Sequence, residues 1–368
     1  MKEAVRLKSG RAIGPDYPVF VVAEVGNNHQ GDVEMALEMV KVAADCGVDA
    51  VKFQKRCTRA LLTLEGCQAP YGGANSFGRT YGEHRDALEL SLEDMTRIKA
   101  LADELGLIFF ASAWDEPSLL QMSELDVELL KISSADLVSV PLLRRAAAMH
   151  LPMIISTGMS DLAQIDHSVN EILKFHNNIV ILHCNSTYPC PEEQISLPVI
   201  AQLRRRYKVP VGYSGHEQGL GPSVAAVALG ACVVERHFTL DKSLVGTDHK
   251  ASLEPQEMGA LVRMIREVER AVAVEEKQVY PSEVATAKKL RKSIVYARDL
   301  PAGHVLAEED LTVKCPGTGV SPVHWDAAVG AVLRRGVRCE EFMTWEQVTP
   351  AASSRQYSVG MLRNGMWR

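Results

Sequence analysis

The chain has 368 residues, 46% of them hydrophobic and 23% charged, with a formal net charge of −6. That balance excludes a wholly disordered, collagenous or coiled-coil chain, and the mild acidity excludes the basic footprint of a nucleic-acid-binding domain. No apolar run reaches the ~18–20 residues that span a bilayer, and MKEAVRLKSG lacks the apolar core of a signal peptide. In chain order, LKSGRAIG within the first fifteen residues suggests a hairpin closing the bottom of a barrel. Eight short runs rich in Val, Ile or Phe follow, at 18–25, 48–54, 107–113, 128–134, 152–158, 179–184, 209–214 and 231–238. They show little polar alternation, as expected of strands buried on both faces.

Helical periodicity fills the gaps. Asp32 is placed to cap VEMALEMVKVAADCG, and Ser91 to cap LEDMTRIKALADELG with Asp94 three residues on. SLLQMSEL, PLLRRAAAM, LAQIDHSVNEILKF, PVIAQLRRRY, SVAAVALG and EPQEMGALVRMIREVERAV complete the series. Eight strand–helix units within residues 1–275 are what a (β/α)8 TIM barrel needs; a doubly wound sheet offers no reason for eight repeats. Residues 55–90 break the rhythm and read as an ordered loop over a site, rich in Gly and carrying Tyr71, Phe77 and Tyr81. Residues 276–290 are polar and charged and read as a linker, 291–350 as a small β-rich domain, and 351–368 as a tail with little core material.

The eight cysteines show no CxxC and no regular framework. We therefore expect free thiols, a cytoplasmic location, and a chance match in the sequon Asn185-Ser186-Thr187. The basic runs at Arg204–Arg206 and Lys288–Lys292 read as solvated faces without the aromatic interleaving of a nucleic-acid site.

A barrel carries its site at the C-terminal ends of its strands. Read there, the strands deliver Glu24 with Asn27 and Asn28; Lys52 and Gln54; Ser112; Lys131 with Ser133, Ser134 and Asp136; Ser156 and Thr157; His183 with Asn185 and Ser186; Ser214 and His216; and Glu235 and His237. Lys52 and Lys131 lie in apolar strands and need a partner. Either an anion bound among Ser112, Ser134, Ser214 and Asn185 supplies it, or Glu24, Asp136 or Glu235 pairs with them directly. His216 and His237 follow neighbouring strands. They can hold a divalent ion between them or act separately as structural hydrogen-bonders. Glu24 and Asp136 are candidate acid–base groups, Asp248 stands in a Gly-flanked loop after the last strand, and His29 is a turn or site residue.

VVAEVGNNHQGD, VDAVKFQKR, FGRTYGEHR, LLKISSAD, IISTGMSD, LHCNSTYPCPEEQISL, GYSGHEQG and ERHFTLDKSLVGTDHKASLEP are the segments through which the chain resembles the sialic acid synthase family, over nearly its whole length. SIVYARDLPAGHVLAEEDLTVKCPG resembles that family's antifreeze-like (SAF) cap domain. The resemblance implies condensation of phosphoenolpyruvate with N-acetylmannosamine or its 6-phosphate, giving a sialic acid or its 9-phosphate, and phosphate. It also implies manganese or magnesium on His216 and His237 for Lewis-acid work. By motif, Lys52, Ser112, Lys131, Ser134, Ser186 and Ser214 would bind phosphoenolpyruvate. Glu24 and Asp136 would move protons, and Gln54, Tyr188 and Asp248 would hold the sugar. A homodimer with exchanged caps is implied as well.

Three departures stand out. Lys314-Cys315-Pro316-Gly317 replaces the bacterial Lys-Arg-Pro-Gly and loses a guanidinium that would reach the N-acyl group. Asp136 stands where many bacterial members have Glu. GYSGHE replaces GLSDHT. The last two, with TYGEHR, lie closer to animal-type synthases that use a 6-phosphorylated sugar, for which Arg79 and Arg85 would be the anchors. The competing expectations are a legionaminic or pseudaminic acid synthase, a metal-dependent sugar isomerase, and a non-catalytic carbohydrate-binding protein.

Overall fold

The computed structural model describes residues 4–274 and 276–351, and the chain divides into two compact units between residues 274 and 275. In the first unit, β1 (Val5–Arg6) and β2 (Ala12–Ile13) pair antiparallel. Eight parallel strands then close a barrel in chain order, the last pairing with the first. They are β3 (Phe20–Gly26), β4 (Ala50–Lys55), β5 (Ile108–Ala113), β6 (Leu130–Ile132), β7 (Met153–Ser156), β8 (Ile179–Cys184), β9 (Val211–Gly215) and β10 (Val233–His237). Between them lie α1 (Val33–Asp45) after β3; α2 (Thr58–Leu61), α3 (Leu64–Gln68), α4 (Tyr81–Ala87) and α5 (Leu92–Glu104) after β4; then α6 (Glu116–Glu124), α7 (Val140–Ala148), α8 (Leu162–Leu173), α9 (Val199–Tyr207), α10 (Gly221–Ala228) and α11 (Pro255–Ala271), so that every expected helix forms and α2, α3 and α4 are additional. Asp32 accepts from the backbone N–H groups of Glu34 and Met35, and Ser91 with Asp94 closes a reciprocal capping box.

Strand parity determines which side chains enter the barrel. Val21, Ala23, Val51, Phe53, Phe109, Ala111, Ile155, Ile181 and Val234 point outward into the core beneath the helices. Phe20, Val22, Ala50, Phe110, Leu129, Ile154, Val180, Leu182 and Val233 point inward and fill the lower barrel. Val5, Leu7 and Ile13 from the N-terminal hairpin join that inner cluster, so the hairpin plugs the barrel bottom as expected. Continuing the same parity upward carries Glu24, Lys52, Gln54, Ser112, Lys131, Ser156, Ser214, His216, Glu235 and His237 inward at the C-terminal end.

Two expectations need correction. Residues 55–90 are not one irregular loop. They hold α2, α3 and α4, whose lengths of 4, 5 and 7 residues are too short to show an apolar period. Local caps hold α3 and α4 instead, notably the reciprocal Thr80–Glu83 box. The polar stretch 276–290 contains α12 (Pro281–Leu290), which has no buried residue and so no apolar stripe to reveal it.

The second unit is small and antiparallel. It pairs β11 (Ser293–Tyr296) with β12 (Leu311–Lys314), and β13 (Val332–Leu333) with β14 (Val348–Thr349), with the short α13 (Trp325–Ala328) between the pairs. Ile294, Tyr296, Leu306, Leu333, Met343 and Val348 are among its core. The expected tail lies, beyond Ala351, outside the described residues. Among the described residues no helix is long and apolar enough to cross a membrane.

Candidate active site

The inward polar residues line a cavity of about 220 Å³ at the C-terminal mouth of the barrel. Its centre is a charge network set by strand register. Glu24 lies directly beside Lys52, and Ser214 beside Glu235. Lys52 Nζ is 2.7 Å from Glu24 Oε2 and 3.7 Å from Glu235 Oε1, and donates to Ser112 Oγ at 3.3 Å. Lys131 Nζ donates to Ser156 Oγ at 2.8 Å and stands 3.6 Å from the same Glu235 oxygen, which also accepts from Ser214 Oγ at 3.2 Å. One carboxylate therefore bridges both buried lysines.

Burial works against every charge in this network, and the neighbours decide each outcome. It pulls Lys131 below the ordinary lysine range, with Glu235 compensating only in part. For Lys52 the two carboxylates outweigh burial and its pKa is raised. Burial raises Glu24, offset incompletely by Lys52, whereas Lys131 and Lys52 together hold Glu235 below the usual range despite its burial. Two neighbouring carboxyls pushed apart in this way suit different proton roles. Glu24 is shifted upward and Glu235 downward.

A cradle of small groups adjoins the lysines. Gly158 N–H donates to Ser134 Oγ at 3.0 Å. A Cβ on Gly158 would fall 2.2 Å from Ser186 Oγ and 2.8 Å from Ser134 Oγ, so only glycine lets the backbone approach both hydroxyls. Hydroxyls and a close backbone beside two ammonium groups are a donor set for a phosphate or carboxylate.

His216 and His237 line the same cavity with ring centroids 5.3 Å apart, and the Tyr188 ring lies 4.0 Å from His216. His216 Nδ1 meets the Asn185 carbonyl at 2.7 Å, which assigns the proton to Nδ1 and leaves the Nε2 lone pair free. His237 Nδ1 is buried with no hydrogen-bond partner, 3.9 Å from Asp248 Oδ2. Burial first, with the neighbouring cations, pushes the His237 ring down to about 3, so it is neutral. Burial acts against a charge on His216, but the Cys184 thiol and the Asn185 carbonyl outweigh it and raise its pKa; once deprotonated, the two imidazoles, one oriented by a backbone carbonyl and one with an orphaned nitrogen, fit a divalent ion whose other ligands are oxygens. Among the described residues no group of three or more His, Cys, Asp and Glu side chains has metal-binding spacing. Behind the pair, the buried Arg236 binds Glu217 at 2.9 Å, and Tyr213 donates to Glu217 at 2.7 Å, which pins the residue next to His216.

Of the residues given a role by motif, all line this cavity except Asp136 and Asp248. Asp136 sits behind Ser133, whose hydroxyl donates to it at 2.6 Å, and burial lifts its carboxyl to about 6. Asp248 lines a neighbouring cavity. Three further candidates serve elsewhere. His183 has outward parity, and its ring meets the Ile195 carbonyl at 2.6 Å. The Asn185 side chain donates to Gln194 and accepts from Thr187 N, so it does not serve the anion cradle. His29 accepts from Gly31 N–H as a turn residue.

The sequence argument missed Glu235 as the hub, Gly158, Trp114 and Arg56. Arg56 is buried over the Trp114 ring at 4.1 Å and donates to Asn27 Oδ1 at 3.0 Å and to Gln54 Oε1. Gln54 in turn presents its amide to Glu24 Oε1 at 2.7 Å. The signal was available, because Arg56 continues the inward parity of Lys52 and Gln54.

Residues 39–277 match the NeuB family model, and residues 291–349 match a SAF domain model. The chain is 41% identical over 311 residues to N-acetylneuraminate-9-phosphate synthase of Homo sapiens, covering 84% of this chain and 87% of that protein. It is 38% identical over 342 residues to N,N'-diacetyllegionaminic acid synthase of Legionella pneumophila, covering 91% and 96%. Among solved structures, the N-acetylneuraminic acid synthetase of Leptospira borgpetersenii superposes with a TM-score of 0.68 at 31% identity, covering 78% of this chain and 96% of that one.

Proposed function

This chain belongs to the NeuB family, and we propose that it condenses phosphoenolpyruvate with an N-acylmannosamine-type aldehyde to give a nine-carbon 2-keto-3-deoxy sugar acid and phosphate. The observation that carries the reading is the pair of buried lysines bridged by Glu235 beside the Ser134–Gly158–Ser186 cradle. Two ammonium groups with several hydroxyls around them are a donor set for a small, highly charged anion.

Phosphoenolpyruvate places its anionic groups on Lys52, Lys131 and the hydroxyls of Ser112, Ser134, Ser186 and Ser214, and offers C3 to the aldehyde. As the carbon–carbon bond forms, Glu24 gives its proton to the aldehyde oxygen, the role its raised pKa favours. C2 becomes oxocarbenium-like and is captured by water, whose proton passes through Ser133 to Asp136. The C2–O bond to phosphorus then breaks, leaving the ketone and inorganic phosphate. The fixed lysine charges stabilise the phosphate throughout. Gln54, Tyr188 and Asp248 hold sugar hydroxyls. His216 and His237 would hold manganese or magnesium, which when bound supplies Lewis-acid polarisation and orientation of the aldehyde. The exchanged-cap homodimer belongs to this proposal too, and its solution mass by light scattering tests it.

Purified protein with phosphoenolpyruvate, Mn2+ and a panel of amino sugars should release phosphate and form a sugar acid visible by mass spectrometry. No release with any member overturns the reading. A preference for diacetamido-trideoxyhexoses would instead make it a legionaminic- or pseudaminic-type synthase.

A further inference from the structure

Strand parity stacks a further polar layer on the one that holds the lysines. After β4 the inward series of Lys52 and Gln54 continues to Arg56, and after β5 the series of Phe110 and Ser112 continues to Trp114. Gln54 lies beside Ser112 in register, and Trp114 N–H donates to the Lys55 carbonyl at 3.1 Å, so Arg56 and Trp114 meet one step above them. The guanidinium sits 4.1 Å from the Trp114 ring centroid, and the arginine side chain is 2% exposed. Gln54 and Trp114 line the central cavity, and Arg56 does not. Burial first, then Arg85, draws the Arg56 pKa down to about 10, which leaves it charged at neutral pH.

A guanidinium can only donate, so the groups around it must accept. One Nη of Arg56 donates to Asn27 Oδ1 at 3.0 Å and the other to Gln54 Oε1. An ion pair does not account for the arginine. Glu89 stands 3.7 Å from it but 2.8 Å from Lys55 Nζ, and so keeps a cation without it. The consequence falls on Gln54. With Oε1 turned to Arg56, the NH2 group must face Glu24, whose Oε1 accepts at 2.7 Å. Gly26, at φ +57°, passes so close that a Cβ would stand 3.1 Å from Gln54 Nε2 and 3.3 Å from Glu24 Oε1, so this contact is packed against bare backbone. A glutamine with no fixed neighbour can take either amide orientation. The flipped one would set a carbonyl against Glu24, where it repels the carboxylate or takes the proton that the aldehyde oxygen needs.

We propose that Arg56 is a positioning residue for the acceptor half of the reaction: it locks the Gln54 amide so that N–H groups, and not the carbonyl, face Glu24 and the sugar. Arg56 touches neither substrate and acts through Gln54. The two hydrogens on Gln54 Nε2 then have separate tasks, one held by Glu24 Oε1 and one left for a sugar oxygen. The inference rests on the condensation proposed above.

The test is a double-mutant cycle on the full chain, with phosphoenolpyruvate, Mn2+ and the amino sugar that gives the fastest phosphate release. Arg56→Met keeps an apolar stem against Trp114 and removes the donors. It should cut kcat/KM for the amino sugar ~10-fold or more, the size of one hydrogen bond to a charged group, with the KM for phosphoenolpyruvate unchanged. Arg56→Lys, with a point donor in place of the fork, should recover part of that loss. In a Gln54→Leu background no amide remains to be oriented, so Arg56→Met should cost less than ~2-fold further. A residue that only supports the fold would cost the same in both backgrounds, and that result overturns the assignment. So does an Arg56→Met variant with the wild-type kcat/KM for the amino sugar, or one that loses both substrates alike. Should Arg56→Met melt below the assay temperature, the same cycle run with Arg56→Lys decides. Each of these outcomes leaves the condensation standing, whereas absence of phosphate release with every amino sugar overturns both.

Discussion

Glu235 is the group whose removal tests the charge arrangement most directly. Its Oε1 stands 3.7 Å from Lys52 Nζ and 3.6 Å from Lys131 Nζ. At an effective dielectric of ~20 each contact is a gross attraction of about 4–5 kcal/mol, much of it offset by desolvation. Glu235→Gln keeps the shape and an acceptor for Ser214. It leaves Lys52 its contact with Glu24 at 2.7 Å but strips Lys131 of its only ion-pair partner among the described residues. Breaking one side of a buried pair costs ~3–5 kcal/mol. At ~2–4 °C per kcal/mol for a domain of this size, the melting temperature near neutral pH should fall by roughly 10 °C. A lysine whose folded pKa is depressed binds fewer protons than it does unfolded, so stability rises with pH between the two values. The deficit should therefore shrink as pH rises and Lys131 discharges, the direction its pKa already takes. Phosphoenolpyruvate supplies the missing negative charge, so in differential scanning fluorimetry it should raise the melting temperature of Glu235→Gln more than that of the wild type. A variant that melts with the wild type, or equal stabilisation of both proteins by phosphoenolpyruvate, would refute the reasoning.

Asp136, lifted to about 6 by burial, should give kcat an acid limb near that pH. Asp136→Asn should lose the limb along with ~10²–10⁴ of the rate; an intact limb in the variant removes Asp136 from proton transfer. Because the raised pKa means that the folded state favours the neutral carboxyl, wild-type stability should fall as pH rises from about 4 to about 6, and the Asn variant should show no such step in urea titrations across that range. Gly158→Ala would drive a methyl into Ser134 and Ser186. It should raise the KM for phosphoenolpyruvate at least ~10-fold, and an unaltered KM would show that the cradle does not hold that substrate. Calorimetric titration with Mn2+ should show a site that His216→Ala loses, and chelation followed by Mn2+ should abolish and then restore turnover; equal Mn2+ binding in the variant rules out the imidazole pair as its holder.

The barrel was legible because parallel strands buried on both faces write themselves as unbroken apolar runs. Parity then identified Lys52, Gln54, Ser112, Ser214, His216 and His237 as inward-facing without knowledge of the fold's closure. What parity cannot show is register across strands. Glu235 meets Lys131 through space from the far side of the barrel, a contact no local window contains, and Gly158 matters only because Ser134 and Ser186 arrive from two other loops. Short helices α2, α3 and α4 were invisible for a different reason, since at 4, 5 and 7 residues they are too short to show an apolar period. His183 shows the rule from the other side: its neighbour Cys184 turns inward, while His183 turns out to the Ile195 carbonyl.

The two readings of the lysines, an anion pocket or an internal ion pair, exclude each other only if the molecule has a single state. Buried ammonium groups without a ligand need carboxylates to keep their protons, and Glu24 and Glu235 raise the Lys52 pKa despite complete burial. Lys131, with only Glu235 to share, is held less firmly and stays depressed. An arriving dianion completes what one shared carboxylate does incompletely. On the proposed function the ion pairs and the anion site are the same groups, and the asymmetry between the two lysines would make Lys131 the one with more to gain from phosphoenolpyruvate.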